Sequence, residues 1–452
     1  MEQHERKYKE MTESPIEKLV LKMAIPTIIS MLITTFYNMA DSFFVGKIGT
    51  SEVGAVGVCF SYMTVIQAIG FFFGHGSGNY ISFMLGTKNR KEAEVMASVG
   101  FFSALVCGFV IMCSGLIFLR PLAIALGSTE TILPYSMQYL GMILLGAPYM
   151  TASLVINNHL RFQGNALHAM YGITSGAILN VILDPVFIFG LDMGIKGAAL
   201  ATILSQFVAF CVLWVQTRYH GNIKLKISNF HPSKKLVKEI LRGGIPSLTR
   251  QALTGLSTVA LNRYAAIGGD AAIAAMSIVQ RMITFAVSTL TGFGQGFQPV
   301  CGFNYGAKKY DRVRKAFWFC VKVGFGFLVV VSLGLILGAT PLISLFRDDR
   351  QVIEIGSFAL RMQALTLPFS AWIVVSNMMM QNIGKVFQAS FLAAARQGLF
   401  LIIVLSILTP SLGLLGIQIA QPIADLITLG VAVFMQRREL LELHQLEKAI
   451  NI

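Results

Sequence analysis

The chain has 452 residues, of which 55% are hydrophobic and 13% charged, and its formal net charge is +14 at pH 7. Soluble domains average about 25% charged residues, so this composition excludes a disordered chain, a coiled coil and most soluble enzymes. The positive balance does not by itself imply nucleic acid, because a membrane protein concentrates Lys and Arg on one side of the bilayer.

A helix needs about 20 apolar residues to cross a bilayer. From the N-terminus such runs occur at 19–45, 53–85, 95–119, 132–156, 166–190, 195–217, 239–265, 271–305, 316–339, 353–380, 387–409 and 412–435. The spacing therefore predicts an all-α membrane protein with twelve transmembrane helices. Residues 1–18 are highly charged and read as a tail rather than a secretory leader. With the N-terminus inside, 25 of the 36 Lys and Arg residues fall on the cytoplasmic side. That bias predicts cytoplasmic N- and C-termini. The expected domains are a tail (1–18), an N-lobe (19–217), a cytoplasmic linker (218–238), a C-lobe (239–435) and a C-terminal tail (436–452). The six cysteines lie in apolar runs without a C-x-x-C pair and read as small core hydrophobes.

The two halves repeat at a fixed offset of 220 residues. It aligns Pro26 with Pro246, Gly74 and Gly76 with Gly294 and Gly296, Gly86 and Lys88 with Gly306 and Lys308, Pro148 with Pro368, and Gly164 with Gly384. Because each half has six spans, the lobes share one orientation and should be related by a pseudo-two-fold axis along the membrane normal. Two such lobes around a cleft can alternate access, the property of a secondary transporter. No phosphate-cradling G-x-x-x-x-G-K-[ST] and no H-E-x-x-H occurs, so neither an ATP-driven pump nor a metalloprotease is expected, and no enzyme or resident cofactor.

Intramembrane carboxylates carry the functional signal. A charge at the bilayer centre costs at least about 2.5–3.5 kcal/mol, yet Asp41, Asp184 and Asp425 lie well inside spans. Asp41 in span 1 and Asp184 in span 5 should both sit in the outer half of the N-lobe, and their repeat counterparts are Leu261 and Val404. The scaffold is duplicated and the chemistry is not. Asn180 lies one helical turn from Asp184 and shares its face. Tyr37 and Asn38 precede Asp41, span 6 brings Thr202, and span 4 brings Tyr139 and, deeper, Asn157. Two neighbouring carboxylates in low dielectric resist double ionisation, so the pair can take up and release a proton. The oxygens of Asp41, Asn180, Asp184 and Thr202 equally suit a hard cation such as Na⁺. A purely structural pinning of the two acids at helix ends is the competing reading.

Asp425 lies in the lobe that also holds Arg250, Arg281, Arg361 and Arg396, and a buried pair with one of these would satisfy it. Met378 could line an adaptable substrate pocket or simply pack. Pro26 bends span 1 about four turns below Asp41, as a static kink or as a hinge coupled to the acid. His75, alone in a Gly-rich stretch of span 2, reads as a packing or backbone-bonding residue rather than a ligand.

These residues resemble the multidrug and toxic compound extrusion (MATE) family. The resemblance rests on Asn180-Val181-Ile182-Leu183-Asp184-Pro185, the run Gly197 to Thr202, Ala40-Asp41-Ser42-Phe43-Phe44-Val45-Gly46, and the paired loops Gly86-Thr87-Lys88 and Gly306-Ala307-Lys308. Within the family the chain is similar to the DinF-like branch of bacterial multidrug exporters, which places its coupling carboxylates at positions matching Asp41 and Asp184. The resemblance implies export of cationic lipophilic compounds against H⁺ or Na⁺ by a monomer in the bacterial cytoplasmic membrane, with the bilayer and small organic cations as its only partners. A flippase for lipid-linked saccharides in the same wider superfamily is the alternative that the C-lobe arginines keep open.

Overall fold

A computed structural model describes residues 2–450 of the chain. Among these the regular structure is entirely helical. In chain order the helices are α1 (Glu2–Glu13), α2 (Ile16–Gly46), α3 (Thr50–Gly86), α4 (Arg90–Ile117), α5 (Leu119–Ala125), α6 (Leu133–Phe162), α7 (Ala166–Pro185), α8 (Gly194–His220), α9 (Lys234–Ala265), α10 (Gly269–Gly306), α11 (Tyr310–Leu337), α12 (Ala339–Phe346), α13 (Arg350–Thr366), α14 (Ser370–Asn382), α15 (Val386–Ala394), α16 (Phe400–Leu412) and α17 (Leu414–Ile450). Among the described residues ten stretches are long and apolar enough to cross a membrane. One of them, Lys234–Gly306, holds both α9 and α10, and α15 with α16 supplies a further span across a π turn, so the twelve runs read from the sequence each find a helix. The chain is a multi-pass membrane protein.

Two compact units are present. The first comprises Met1–Glu13 and Ile25–Leu248. Its core is built around α6, whose face Tyr139, Leu140, Ile143, Leu144 and Ala147 packs against Cys59 and Ile66 of α3 and Ala198 and Ala199 of α8. Leu236 and Ile240 from the start of α9 join Ile81, Met96 and Val99 in a second cluster of the same unit. Gly76 makes that approach possible, since a Cβ there would stand 2.4 Å from the Ile240 carbonyl oxygen.

The second unit comprises Ser14–Ala24 and Thr249–Ile452. Gly296 of α10 does for α2 what Gly76 does for α9: a Cβ there would stand 2.4 Å from the Ala24 Cα. The first segment of each lobe's first helix thus belongs with the opposite unit from the remainder of that helix. The changes of membership fall at Ala24/Ile25 and Leu248/Thr249, beside the in-helix prolines Pro26 and Pro246, both buried.

The repeat survives in local geometry. The short helices α5 and α12 begin at Leu119 and Ala339, one repeat apart. Lys88 and Lys308 both adopt left-handed backbone (φ 61° and 58°), as do Gly164 and Gly384 (φ 82° and 80°). Asn157 Nδ2 donates to the Ala169 carbonyl (2.9 Å), and Asn377 repeats the bond to Ala389 (2.6 Å). One departure is the π turns: Val186–Gly190 follows α7 directly, whereas Ala395–Leu399 interrupts the repeat-related span earlier, between α15 and α16. The C-terminal helix α17 continues past the apolar run to Ile450, so the expected tail is helical through that residue.

Candidate functional site

Asp184 ends α7. The following residue is Pro185, which has no N–H to return to the preceding turn, and the helix relaxes into the π turn Val186–Gly190. Asp184 is completely buried, and Asn180, one turn earlier on the same face, donates from Nδ2 to its Oδ1 at 3.3 Å. Asp41, on the last turns of α2, lies within electrostatic reach of Asp184. Tyr37, one turn before Asp41, is within reach of both carboxylates. Tyr139, fully buried on α6, places its hydroxyl between the Met63 thioether (3.9 Å) and the Thr202 hydroxyl. Thr202 itself donates to the Ala198 carbonyl at 3.0 Å, which leaves its oxygen free to accept.

Six residues named from the sequence therefore meet within the first unit: Asp41, Asp184, Asn180, Thr202, Tyr139 and Tyr37. The polar accounting of this group is incomplete. Asp41 Oδ1, Asn180 Oδ1 and Asp184 Oδ2 are buried acceptors with no hydrogen-bond donor among the described residues. Buried oxygens normally have a partner. Three unmet acceptors, two of them on carboxylates, form a site that a proton or a hard cation would complete. The donor set is oxygen only, which suits Na⁺ and no soft metal. Among the described residues no group of three or more His, Cys, Asp or Glu could hold a metal ion.

Other residues singled out from the sequence lie elsewhere. Asn38 is exposed on α2. Asn157 is buried and bonded to Ala169, and because Asn377 repeats this in the other half the bond ties two helices wherever the fold is used. Met378 belongs to the second unit, where its sulfur fills the space over Gly294 within an apolar cluster. His75 is buried, with Nδ1 on the Phe71 carbonyl (3.2 Å) and Nε2 on Arg161 (3.2 Å). Arg361 reaches Thr340 (3.2 Å) and Arg281 is exposed, and of the four arginines named from the sequence Arg396 is the one within electrostatic reach of Asp425. The pairing expected for Asp425 is not a close one: its Oδ1 accepts from Gln421 at 3.0 Å, and among the described residues no guanidinium stands within ion-pair distance. Sequence reasoning missed Met63, whose 76-residue separation from Tyr139 gives no local signal.

The family model MatE matches twice, over residues 26–186 and 246–407, so its two copies start one repeat apart. The multidrug export protein MepA of Staphylococcus haemolyticus is 28% identical over 426 residues, covering 94% of each chain. MepA of Staphylococcus aureus is 27% identical over 411 residues, covering 90% of each. Among solved structures, a MOP superfamily transporter from Pyrococcus furiosus superposes with a TM-score of 0.91 at 25% identity, covering 97% of this chain and 98% of that one. A MATE structure in a straight conformation gives 0.91 at 26% identity, over 97% and 99% of the two chains.

Proposed function

The chain belongs to the MatE family, and from that premise we propose that it is a MepA-like secondary antiporter that exports cationic lipophilic compounds from the bacterial cytoplasm in exchange for H⁺ or Na⁺. It is a multidrug transporter and not an enzyme. It works as a monomer in the cytoplasmic membrane with both termini inside.

The observation that carries the coupling is the set of unmet buried oxygens on Asp41, Asn180 and Asp184. Binding of the coupling ion there neutralises the pair, and its release restores two carboxylates that repel one another and attract a cation. The cycle follows from that difference: the ion loads from outside, the drug leaves, and the emptied acids draw the next cationic substrate from inside. Pro26 supplies the bend through which a change at Asp41 reaches the rest of α2.

Purified protein in liposomes, loaded with a cationic dye and driven first by a pH gradient and then by a Na⁺ gradient, tests the proposal and identifies the ion. Asp184→Asn or Asp41→Asn should lower gradient-driven efflux at least about tenfold, the effect expected when an essential ionisable group is removed. Wild-type rates from either variant under both gradients would overturn the assignment.

A further inference from the structure

Residues 218–242 hold seven Lys and Arg residues against one acid, Glu239. Two of the seven are paired, Lys235 with Glu92 (2.6 Å) and Arg242 with Glu239 (2.7 Å). Arg218, Lys224, Lys226, Lys234 and Lys238 are exposed, and among the described residues none of them has a carboxylate partner. The repeat-related stretch of the second unit is built differently: there Glu439, Glu442 and Glu447 on α17 take Lys385 and Arg314.

Three of the five spare cations stand around one aromatic surface. Helices α4 and α8 both pack on α6, and Phe101 of α4 meets Trp214 of α8 with ring centroids 5.6 Å apart. The Arg218 guanidinium lies over the Trp214 ring, 5.5 Å from its centroid. The chain then leaves α8 and crosses the start of α4. The Asn222 N–H donates to Gln163 Oε1 (2.8 Å), and the Lys226 N–H donates to Ser98 Oγ (3.3 Å). Between these anchors the side chains alternate. Ile223 and Leu225 pack inward, Leu225 in the same apolar cluster as Phe102 and Trp214, while Lys224 and Lys226 are exposed. Phe230 closes the surface on Phe102 at 5.8 Å. Val106, one turn along α4 from Phe102, and Phe207, two turns back along α8 from Trp214, are exposed on the same helix faces. Amphipathic rings sit at headgroup depth in a bilayer, and Lys and Arg placed at that depth attract anionic lipid.

We propose that Arg218, Lys224 and Lys226, standing around Phe102, Trp214 and Phe230, hold the phosphodiester headgroup of an anionic phospholipid on the outer side of the first unit. The Arg218 fork meets two phosphate oxygens, and the two ammonium groups act as point charges beside it. The occupant is a lipid rather than a free anion because the cations rise from an apolar strip. Val106 and Phe207 continue that strip toward the bilayer core, where the acyl chains run. The site serves no step of the export cycle and does not depend on that reading.

The test uses the full chain in a neutral detergent, titrated in turn with phosphatidylglycerol, phosphatidylcholine and inorganic phosphate while its melting temperature is followed. A ligand that binds the folded state raises that temperature and saturates. Phosphatidylglycerol should do so, and the other two should not. Stabilisation by inorganic phosphate to the same extent would mean a free-anion site, and stabilisation by phosphatidylcholine a site blind to charge; either overturns the proposal. The double variant Lys224→Gln with Lys226→Gln should raise the half-saturating concentration of phosphatidylglycerol about twentyfold, at about fivefold per charge. Arg120→Gln with Lys196→Gln removes the same charge beyond the far ends of α4 and α8 and should leave it unchanged. Equal shifts in the two double variants would reduce the effect to net charge and overturn the assignment. Wild-type protein needs no substitution for a further check: raising NaCl from about 0.05 M to about 0.5 M should weaken the response to phosphatidylglycerol, and a response indifferent to salt would also overturn it.

Discussion

Asp184 and Asn180 show what helical spacing alone can carry. Residues four apart on one helix must share a face, and the contact is there at 3.3 Å. Contacts made across the chain leave no such trace. Glu92, at the start of α4, accepts from Lys235 Nζ (2.6 Å) and from the Tyr80 hydroxyl (2.6 Å), although Lys235 is 143 residues away. Asn89 also binds Glu92, by its Nδ2 to the carboxylate and its Oδ1 to the backbone N–H, which caps the helix. The Lys235 bond first, and the Tyr80 bond second, hold the Glu92 carboxyl below its ordinary value of 4.5, and Glu92 in turn raises Lys235. A depressed acid stabilises the fold above its unfolded value, and that stability is lost as the pH falls through the folded value. Because the group is partly exposed, the contribution is at most about 1 kcal/mol. The melting temperature of the detergent-solubilised protein should therefore fall on acidification below about pH 4.5, and part of that fall should be missing in Glu92→Gln. Parallel profiles for the two proteins would show that the cluster adds nothing.

At the scale of elements, length and apolarity placed all twelve spans, because a bilayer forces a helix to satisfy its own backbone over its full width. What the sequence left hidden were the adjustments within and between spans: the short helices α5 and α12, the π turns after Asp184 and around Arg396, and the run of α17 to Ile450. These depend on neighbours rather than on composition. The glycines that admit a crossing helix were visible only as repeat markers, and the structure supplies their cause. Ala at Gly76 or Gly296 would press a methyl onto a backbone, where no side chain can yield. Gly76→Ala and Gly296→Ala should each cost about 1–3 kcal/mol. Gly326 on α11 has open space where its Cβ would be, and Gly326→Ala should be neutral or stabilise by up to about 1 kcal/mol. Thermal unfolding of the three variants decides the matter, and equal losses at all three positions would remove the packing explanation.

At the scale of the whole molecule, one fold is used twice and only one copy carries the acid pair. Leu261 and Val404, at the repeat positions of Asp41 and Asp184, are buried together in a single aliphatic cluster. The positions are adjacent by construction of the fold, and the first unit has put two carboxylates where the second has two hydrocarbons. The same asymmetry decides between the two readings of Pro26. Pro26 and Pro246 are equivalent in sequence and burial, and each lies next to the point where its helix changes unit. Replacement of either by Ala restores an N–H to the helix and favours a straight segment by up to about 3 kcal/mol. If the prolines were static kinks, Pro26→Ala and Pro246→Ala would have matching effects. If the bend at Pro26 responds to the charge at Asp41, only Pro26→Ala should uncouple export from the ion. A bias of about 1.4 kcal/mol toward one state already shifts its population ratio tenfold. The expected outcome is thus a Pro26→Ala protein that binds a cationic dye but exports it at least about tenfold more slowly under a gradient, while Pro246→Ala keeps the ion dependence of the wild type. Equal behaviour of the two variants in liposomes would make both prolines fixed features of the scaffold and return the coupling to the side chains of the acid site alone.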